Sequence, residues 1–369
     1  MSEINWPTIP TPAIVIDAAV VERNLARMAA YTREHGLKLR PHTKTHKSAT
    51  LAGLQLDAGA SGLTVAKAGE AQVMSRVRPD VDLLMAYPAV DARRCALLAE
   101  LAMHGSTIRV AVDSTVAAGA LADSARRCET TIGILVDLDI GLHRTGVQSP
   151  KAALELAQHI AGQRGLRLDG IMIYPGHIWA KPDDQVLALR AIDAVVCETI
   201  ALWQKNGFAA PIISGGSTPT AFQSHHITHL TEIRPGTYIF NDMNCVSGGY
   251  CSLDDCAARI SCTVVSDAVP GQVVIDAGSK TLTSDRRHDS PEAGFGHMVE
   301  FPDAKIARLT EEHGQVDVRN CDRPPKVGQR VTIIPNHICP CINLQNHVYW
   351  HEPDQQPRPL PVDARGCVV

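Results

Sequence analysis

The segment Arg40-Pro-His42-Thr-Lys44-Thr-His46-Lys47 gathers two histidines and two lysines behind a proline. A lysine amine attacks carbonyl carbon, and burial or a neighbouring cation keeps it reactive. Most loop lysines are only solvated charges, so what stands around these two decides their chemistry. Four more segments concentrate reactive types: Asp137-Leu-Asp139-Ile-Gly141-Leu-His143-Arg144, Tyr174-Pro-Gly176-His177, Ser214-Gly-Gly-Ser217-Thr218 and Arg234-Pro-Gly236-Thr237-Tyr238. The last two mix glycine, which lets a backbone approach a ligand closely, with hydroxyl donors, a combination suited to a phosphate. Taken singly, Gly-Gly and Pro-Gly are ordinary turns. Near the end of the chain, His337-Ile-Cys339 sets an imidazole and a thiol two residues apart. On extended backbone both fall on one side, where they could grip one metal ion; an isolated His-x-Cys is more often a buried cysteine beside a capping histidine. Nitrogen plus sulfur favours zinc over magnesium or calcium, and two protein ligands leave positions open for water or substrate.

These groups need elements to position them. Aliphatic or β-branched runs at 37–40, 62–65, 81–86, 107–112, 131–137, 168–174, 211–214 and 231–234 read as eight strands. Helix-length amphipathic segments follow most of them, at 67–77, 92–103, 115–127, 151–163 and 183–205. An earlier strand at 13–17 leads into a helix over 20–34 that stops at Gly36. Eight β-then-α units over roughly 205 residues match a (β/α)8 barrel, typically about 200–250 residues. A doubly wound nucleotide-binding sheet is set aside because no Gly-x-Gly-x-x-Gly follows a first strand. Reactive groups of such barrels sit after the carboxyl ends of the strands, and all five clusters fall there. From about residue 246 short strands at 264–265, 273–276, 314–318 and 330–334 alternate with Gly/Pro turns, without a convincing helix. The expected organisation is a barrel over 1–245, with packing of its first 15 or so residues against the second domain left open, and a smaller all-β domain over 246–369.

Composition narrows the functional classes. Hydrophobic residues at 45% and charged residues at 20% suit a globular core and exclude whole-chain disorder. A net charge of −4 leaves no basic footprint for nucleic acid and no polybasic patch for a membrane surface. No apolar run approaches the ~20 residues of a bilayer span. The N-terminus lacks a charged region followed by an apolar one, so a cytoplasmic location is expected. Eleven irregularly spaced cysteines are expected to be reduced.

Barrels frequently bind a phosphate in the loops after their last two strands. Both glycine-hydroxyl segments fall there, and a lysine after the first strand faces the same mouth. A phosphate site with a lysine opposite is what pyridoxal phosphate held as a Schiff base requires. At this point the chain resembles fold-type III pyridoxal-phosphate enzymes, and within them the D-threonine aldolase and D-serine dehydratase-like family, distant relatives of alanine racemase. The resemblance spans both domains: the 40–47 segment, Gly-Gly-Ser-Thr at 215–218, Pro-Gly-Thr-Tyr at 235–238, Asp276-Ala-Gly-Ser-Lys280, Glu312-His-Gly314, Pro335-Asn-His337-Ile-Cys339-Pro-Cys-Ile-Asn343 and Pro361-Val-Asp-Ala-Arg-Gly366.

The resemblance implies that Lys44 is the Schiff-base lysine, with Lys47 nearby but unattached. It implies that Arg144 contacts the cofactor ring and that Ser217, Thr218, Gly236 and Thr237 cradle its phosphate. Arg234 sits where alanine racemase meets the pyridine nitrogen, and Tyr174 competes for the ring. His337 and Cys339 become ligands of a divalent metal, zinc or manganese, and His177 is the candidate acid/base. The implied reaction is a lyase step on D-configured β-hydroxy-α-amino acids, foremost retro-aldol cleavage of D-threonine. Aldolase relatives show His-x-Asp where this chain has His337-x-Cys339; the thiol resembles the zinc-using D-serine and D-3-hydroxyaspartate dehydratases, which makes dehydration the alternative. A racemase or a non-catalytic cofactor carrier ranks below both, and a homodimer is expected by analogy.

Overall fold

The computed structural model describes residues 9–369. Expectations about the first eight residues lie outside the described residues. By internal contacts the chain divides into two compact units, 27–236 with 366–369, and, within the described residues, 9–26 with 237–365.

Strand β1 (Ala13–Asp17) and helix α1 (Ala18–Glu34) come first. The barrel unit then alternates β2 (Lys38–Leu39), α2 (Ala49–Asp57), β3 (Leu63–Val65), α3 (Ala68–Met74), β4 (Asp82–Met85), α4 (Ala92–Met103), β5 (Thr107–Val112), α5 (Thr115–Arg127), β6 (Ile132–Asp137), α6 (Pro150–Ala161), β7 (Leu166–Met172), α7 (Val186–Lys205), β8 (Ile212–Gly215) and β9 (Glu232–Ile233). All eight strands from β2 to β9 are parallel, in the order β2-β9-β8-β7-β6-β5-β4-β3. The Ser61 amide on the Leu39 carbonyl and the Thr64 amide on the Pro41 carbonyl, each 2.8 Å, join β3 back to β2 and close the ring. The barrel expected from the sequence is therefore present. Helix starts follow their caps: Asp91, Ser114 and Ser149 accept the amides of Arg94, Ala117 and Ala152, three residues on. Helix α2 was not expected; its sequence, Ala-Thr-Leu-Ala-Gly-Leu-Gln-Leu-Asp, has no polar stripe from which to read a helical period.

Alternation along the strands, with one bulge, decides what faces the barrel interior. The lowest layer is charged: Arg109 on β5 pairs with Asp82 on β4 and Asp169 on β7, and Arg40 pairs with Asp82 at 2.7 Å and with Glu232 at 2.8 Å. Above it Leu84, Ala111, Leu135 and Met172 form an apolar layer, each at most 4% exposed. Leucine and methionine side chains buried this far contribute on the order of 1.5–3 kcal/mol each, the Ala111 methyl less. Met172 lies three residues past Asp169, not two, because β7 carries an extra residue: Leu168 pairs with Ile134 but Gly170 with Leu135. Gly170 has φ +148°, and a Cβ there would run into the Ile212 backbone of β8. The bulge keeps Met172 inside and brings Tyr174, two residues further, to the mouth.

The second unit adds α8 (Met243–Ser247), β10 (Ala258–Ser266), β11 (Gln272–Ile275), α9 (Ser279–Leu282), β12 (His297–Met298), β13 (Lys305–Leu309), β14 (Gly314–Asp317), β15 (Arg330–Ile334), α10 (Ile338–Asn343), β16 (His347–His351) and β17 (Arg358–Pro361). Its nine-stranded sheet incorporates β1, which runs antiparallel to β10 and parallel to β16. The expectation of no helix here is corrected by α8, α9 and α10. Helices of four to six residues carry no readable period; caps start them, as when Asp242 accepts the Cys245 amide at α8. Among the described residues no helix is long and apolar enough to cross a membrane. All eleven cysteines are free.

Candidate active site

In the barrel unit, Lys44 lies in a 3-10 turn over Thr43–Thr45, after β2. The turn is pinned from beneath. Buried Thr43 donates its hydroxyl to Glu70 at 2.6 Å and to the Thr64 carbonyl at 3.1 Å, and Glu70 also accepts the Ala66 amide at 2.8 Å. Burial raises the Glu70 carboxyl, and its hydrogen bonds from Thr43 and Ala66 and the charges of Lys47 and Lys44 oppose that. His46 accepts the Ser48 amide and meets Gln55 at 3.1 Å, so this histidine is structural. The Lys44 side chain is left exposed. Lys47 is buried with φ +51°, a backbone region few non-glycine residues adopt. His42 accepts the Lys44 amide, and burial plus the charges of Lys44 and Arg234 push its pKa well down, so it stays neutral.

The loop after β6 is organised by Asp139, which accepts the amides of Gly141 and His143 and meets the His143 ring at 2.8 Å. Against burial, which raises it, these bonds bring the Asp139 carboxyl down to about 2. This loop presents Arg144, whose guanidinium lies 4.9 Å from the Tyr174 ring centroid. The two residues assigned to a cofactor ring thus meet. His177 is exposed, its ring 3.1 Å from where a Cβ on Gly141 would stand, and it has no hydrogen-bond partner among the described residues. Arg234 lies deeper, donating to the Ser214 hydroxyl at 2.7 Å and the Ile173 carbonyl at 2.9 Å. Burial lowers its pKa to about 10.

The loops after β8 and β9 meet each other and the lysine turn. The Gly236 amide donates to Thr218 Oγ1 at 3.2 Å, the His42 amide to the Pro235 carbonyl at 3.0 Å, and a Cβ on Gly236 would stand 2.9 Å from Thr45 Oγ1. Ser217 is held by Thr220 through both its amide and its hydroxyl. Gly216 takes φ +81°. The amides of Gly216 and Thr218 have no acceptor among the described residues. Open amide donors beside two hydroxyls, joined to a lysine-bearing turn, fit a phosphate-tailed aldehyde.

The other unit carries the imidazole and the thiol. His337 follows β15 in extended conformation at the N-cap position of α10, without a side-chain capping bond, so Cys339 lies in the first helical turn. The expected extended run across both residues is corrected: Asp242 accepts the Ile338 amide at 3.1 Å and the helix begins there. The side chains still meet. Against burial, which lowers it, hydrogen bonds to Cys339 and Asp285 raise the His337 pKa to about 10, with the charges of Cys339 and Asp242 adding. Asp285 Oδ2 stands 2.8 Å from His337 Nδ1. Thr237, expected at the phosphate, lies 3.6 Å from Cys339 Sγ. Among the described residues no group of three or more His, Cys, Asp or Glu is arranged to hold a metal. One imidazole and one thiol meeting in this way have the chemistry that fits an open site for a zinc-like ion. Sequence reasoning missed Asp242, Asp285 and Glu70. Only Asp242 carried a signal, as an acidic residue ahead of a short apolar run.

Comparison with known proteins bears on both units. The alanine racemase N-terminal domain model matches residues 16–243, and a serine dehydratase domain model matches 257–351. The chain is 31% identical to the D-threo-3-hydroxyaspartate dehydratase of Delftia sp. HT23 over 90% of this chain and 91% of that protein. It is 28% identical to a D-threonine aldolase of Arthrobacter sp. over 92% and 88%. The crystal structure of the D-threonine aldolase of Filomicrobium marinum superposes with a TM-score of 0.89 at 28% identity, covering 98% and 97% of the two chains. A cysteine-to-alanine variant of the Delftia dehydratase, solved in its metal-free form, superposes equally well at 27% identity over 96% and 97%. The chain belongs to the alanine racemase N-terminal domain family, in the group that joins this barrel to a serine dehydratase domain and includes D-threonine aldolase and D-3-hydroxyaspartate dehydratase.

Proposed function

We propose that the chain is a pyridoxal-phosphate- and divalent-metal-dependent lyase of D-configured β-hydroxy-α-amino acids, foremost a D-threonine aldolase releasing glycine and acetaldehyde. The observation that carries this reading is the lysine turn hydrogen-bonded to a loop pair with open amide and hydroxyl donors. Bound pyridoxal phosphate supplies an electron sink for a bond broken at Cα, and a bound divalent ion, zinc or manganese, a Lewis acid for the β-hydroxyl. Lys44 holds the cofactor through its amine. Ser217, Thr218 and Gly236 bind the phosphate; Arg144 and Tyr174 are the ring residues, with Arg234 behind them, while Thr237, named with the cradle by the resemblance, stands beside Cys339. His177, exposed and with no hydrogen-bond partner among the described residues, takes the β-hydroxyl proton. His337 and Cys339 hold the ion. The family resemblance supports a homodimer in the cytoplasm.

Dehydration to a 2-oxo acid and ammonia is the second reading, favoured by Cys339. The resemblance assigns a thiol at this place to the dehydratases, and the Delftia dehydratase was solved metal-free as a cysteine variant. In that reaction the Lys44 amine takes the Cα proton and the β-hydroxyl leaves. Reconstituted protein incubated with D-threonine and D-serine separates the two. Glycine plus acetaldehyde is the expected product pair; 2-oxo acid plus ammonia selects the second reading, and no turnover of either amino acid overturns both.

A further inference from the structure

We propose that Asp285 is the positioning residue of the metal pair, holding the His337 imidazole so that Nε2 is presented to the ion. The inference rests on the reading of His337 and Cys339 as metal ligands. Asp285 Oδ2 lies 2.8 Å from His337 Nδ1, across 52 residues of chain. The carboxylate oxygen accepts from Nδ1–H, so Nδ1 is the nitrogen that keeps its proton and Nε2 is the one that gives its proton up when an ion binds. Such a contact fixes both the tautomer and the plane of a ligating ring.

The surrounding backbone is arranged around this contact. Asn336, the residue before His337 and 1% exposed, donates its side-chain amide to the Asp285 carbonyl at 3.0 Å and to the Gly294 carbonyl at 2.8 Å. The segment bearing the carboxylate is thereby tied to the strand end bearing the imidazole. Two residues earlier Thr283 takes φ +63° and ψ 177°, a region that β-branched residues avoid, while its hydroxyl accepts the Asp285 amide at 3.3 Å. Strain of this kind persists where the fold over-determines a conformation, commonly beside functional groups. Asp242 does not compete for the role, because its carboxylate already accepts the amides of Ile338 and Cys245, each at 3.1 Å. It anchors the backbone between the two ligands, whereas Asp285 holds the ring.

A merely structural contact predicts a different outcome. The Asp285 and His337 side chains are 47% and 41% exposed, and ion pairs so open add little to folding. The test uses full-length cofactor-loaded protein stripped of metal, titrated with zinc against a chromophoric chelator. Asp285→Ala is expected to weaken zinc binding about 10–100-fold. Its cofactor absorbance and the melting temperature of the stripped protein should match wild type. Asp285→Asn keeps an acceptor oxygen and is expected to recover most of the affinity. Cobalt(II)-loaded Asp285→Ala should keep the thiolate charge-transfer band from Cys339 while its d–d bands shift. Wild-type zinc affinity in Asp285→Ala overturns the inference, as does a parallel fall in melting temperature of the stripped protein. Wild-type protein that takes up neither zinc nor cobalt instead overturns the ligand reading of His337 and Cys339, and this inference with it.

Discussion

Asp137, at the carboxyl end of β6, shows how residues at the barrel mouth trade stability for charge. Burial raises its pKa from 3.8 to about 6, against the Thr145 hydroxyl bond and the charges of Arg234 and Arg144. Between pH 4 and 6 the unfolded chain ionises this group while the folded chain keeps it protonated. Its contribution to stability is thus full below about pH 4 and lost as pH rises through 6. Asp137→Asn cannot ionise, so denaturation at pH 4 and pH 7 should show the variant gaining on wild type by up to about 3 kcal/mol at the higher pH. The two lysines of the 40–47 segment differ in exposure, and their variants should differ in colour. Lys44→Ala is expected to lose the visible absorbance of reconstituted protein and its borohydride-reducible adduct, whereas Lys47→Ala keeps both. An adduct surviving in Lys44→Ala would move the covalent role elsewhere.

At the scale of elements, one glycine decides which side chains β7 turns inward. The bulge at Gly170 puts Asp169 in the charged layer and Met172 in the apolar one, and it delivers Tyr174 to Arg144. Gly170→Ala would require a left-handed conformation and push a Cβ into the Ile212 backbone. Urea denaturation should show a loss of about 3 kcal/mol or more, or misfolding. Helices α4 and α5 begin and end where apolar spacing and cap residues place them, at 92–103 and 115–127, because caps and periods are local. Helix α2 and the bulge were not legible. The first has no polar face, and the second depends on the approach of a neighbouring strand, which no local pattern encodes. The His337–Cys339 pair was legible as a pair of residue types but not as a strand-to-helix junction, since Asp242 starts that helix from 96 residues away. Asp285 was silent for the same reason: its meaning lies in a partner far along the chain.

Across the whole molecule, the candidate residues for the cofactor and for the metal are carried by two units with separate cores, apart from Thr237, which belongs with Cys339. The lysine turn draws its support from Thr64, Ala66 and Glu70, all in the barrel unit. The imidazole and thiol draw theirs from Asp242, Asp285 and Asn336, all in the other. Supports that do not overlap predict that the two groups can be lost one at a time, since changes at separate sites add without coupling. Cys339→Ala should lose zinc, read by metal analysis after gel filtration, while its visible absorbance stays within a few per cent of wild type. Lys44→Ala should show the converse, keeping zinc and losing colour. Both variants should fall at least about 100-fold in turnover of D-threonine, because a sink at Cα without a Lewis acid at the β-hydroxyl, or the reverse, leaves one half of the cleavage unassisted. Undiminished turnover in Cys339→Ala would remove the metal from the reaction. Loss of both groups from either variant would mean that one support reaches across the whole chain.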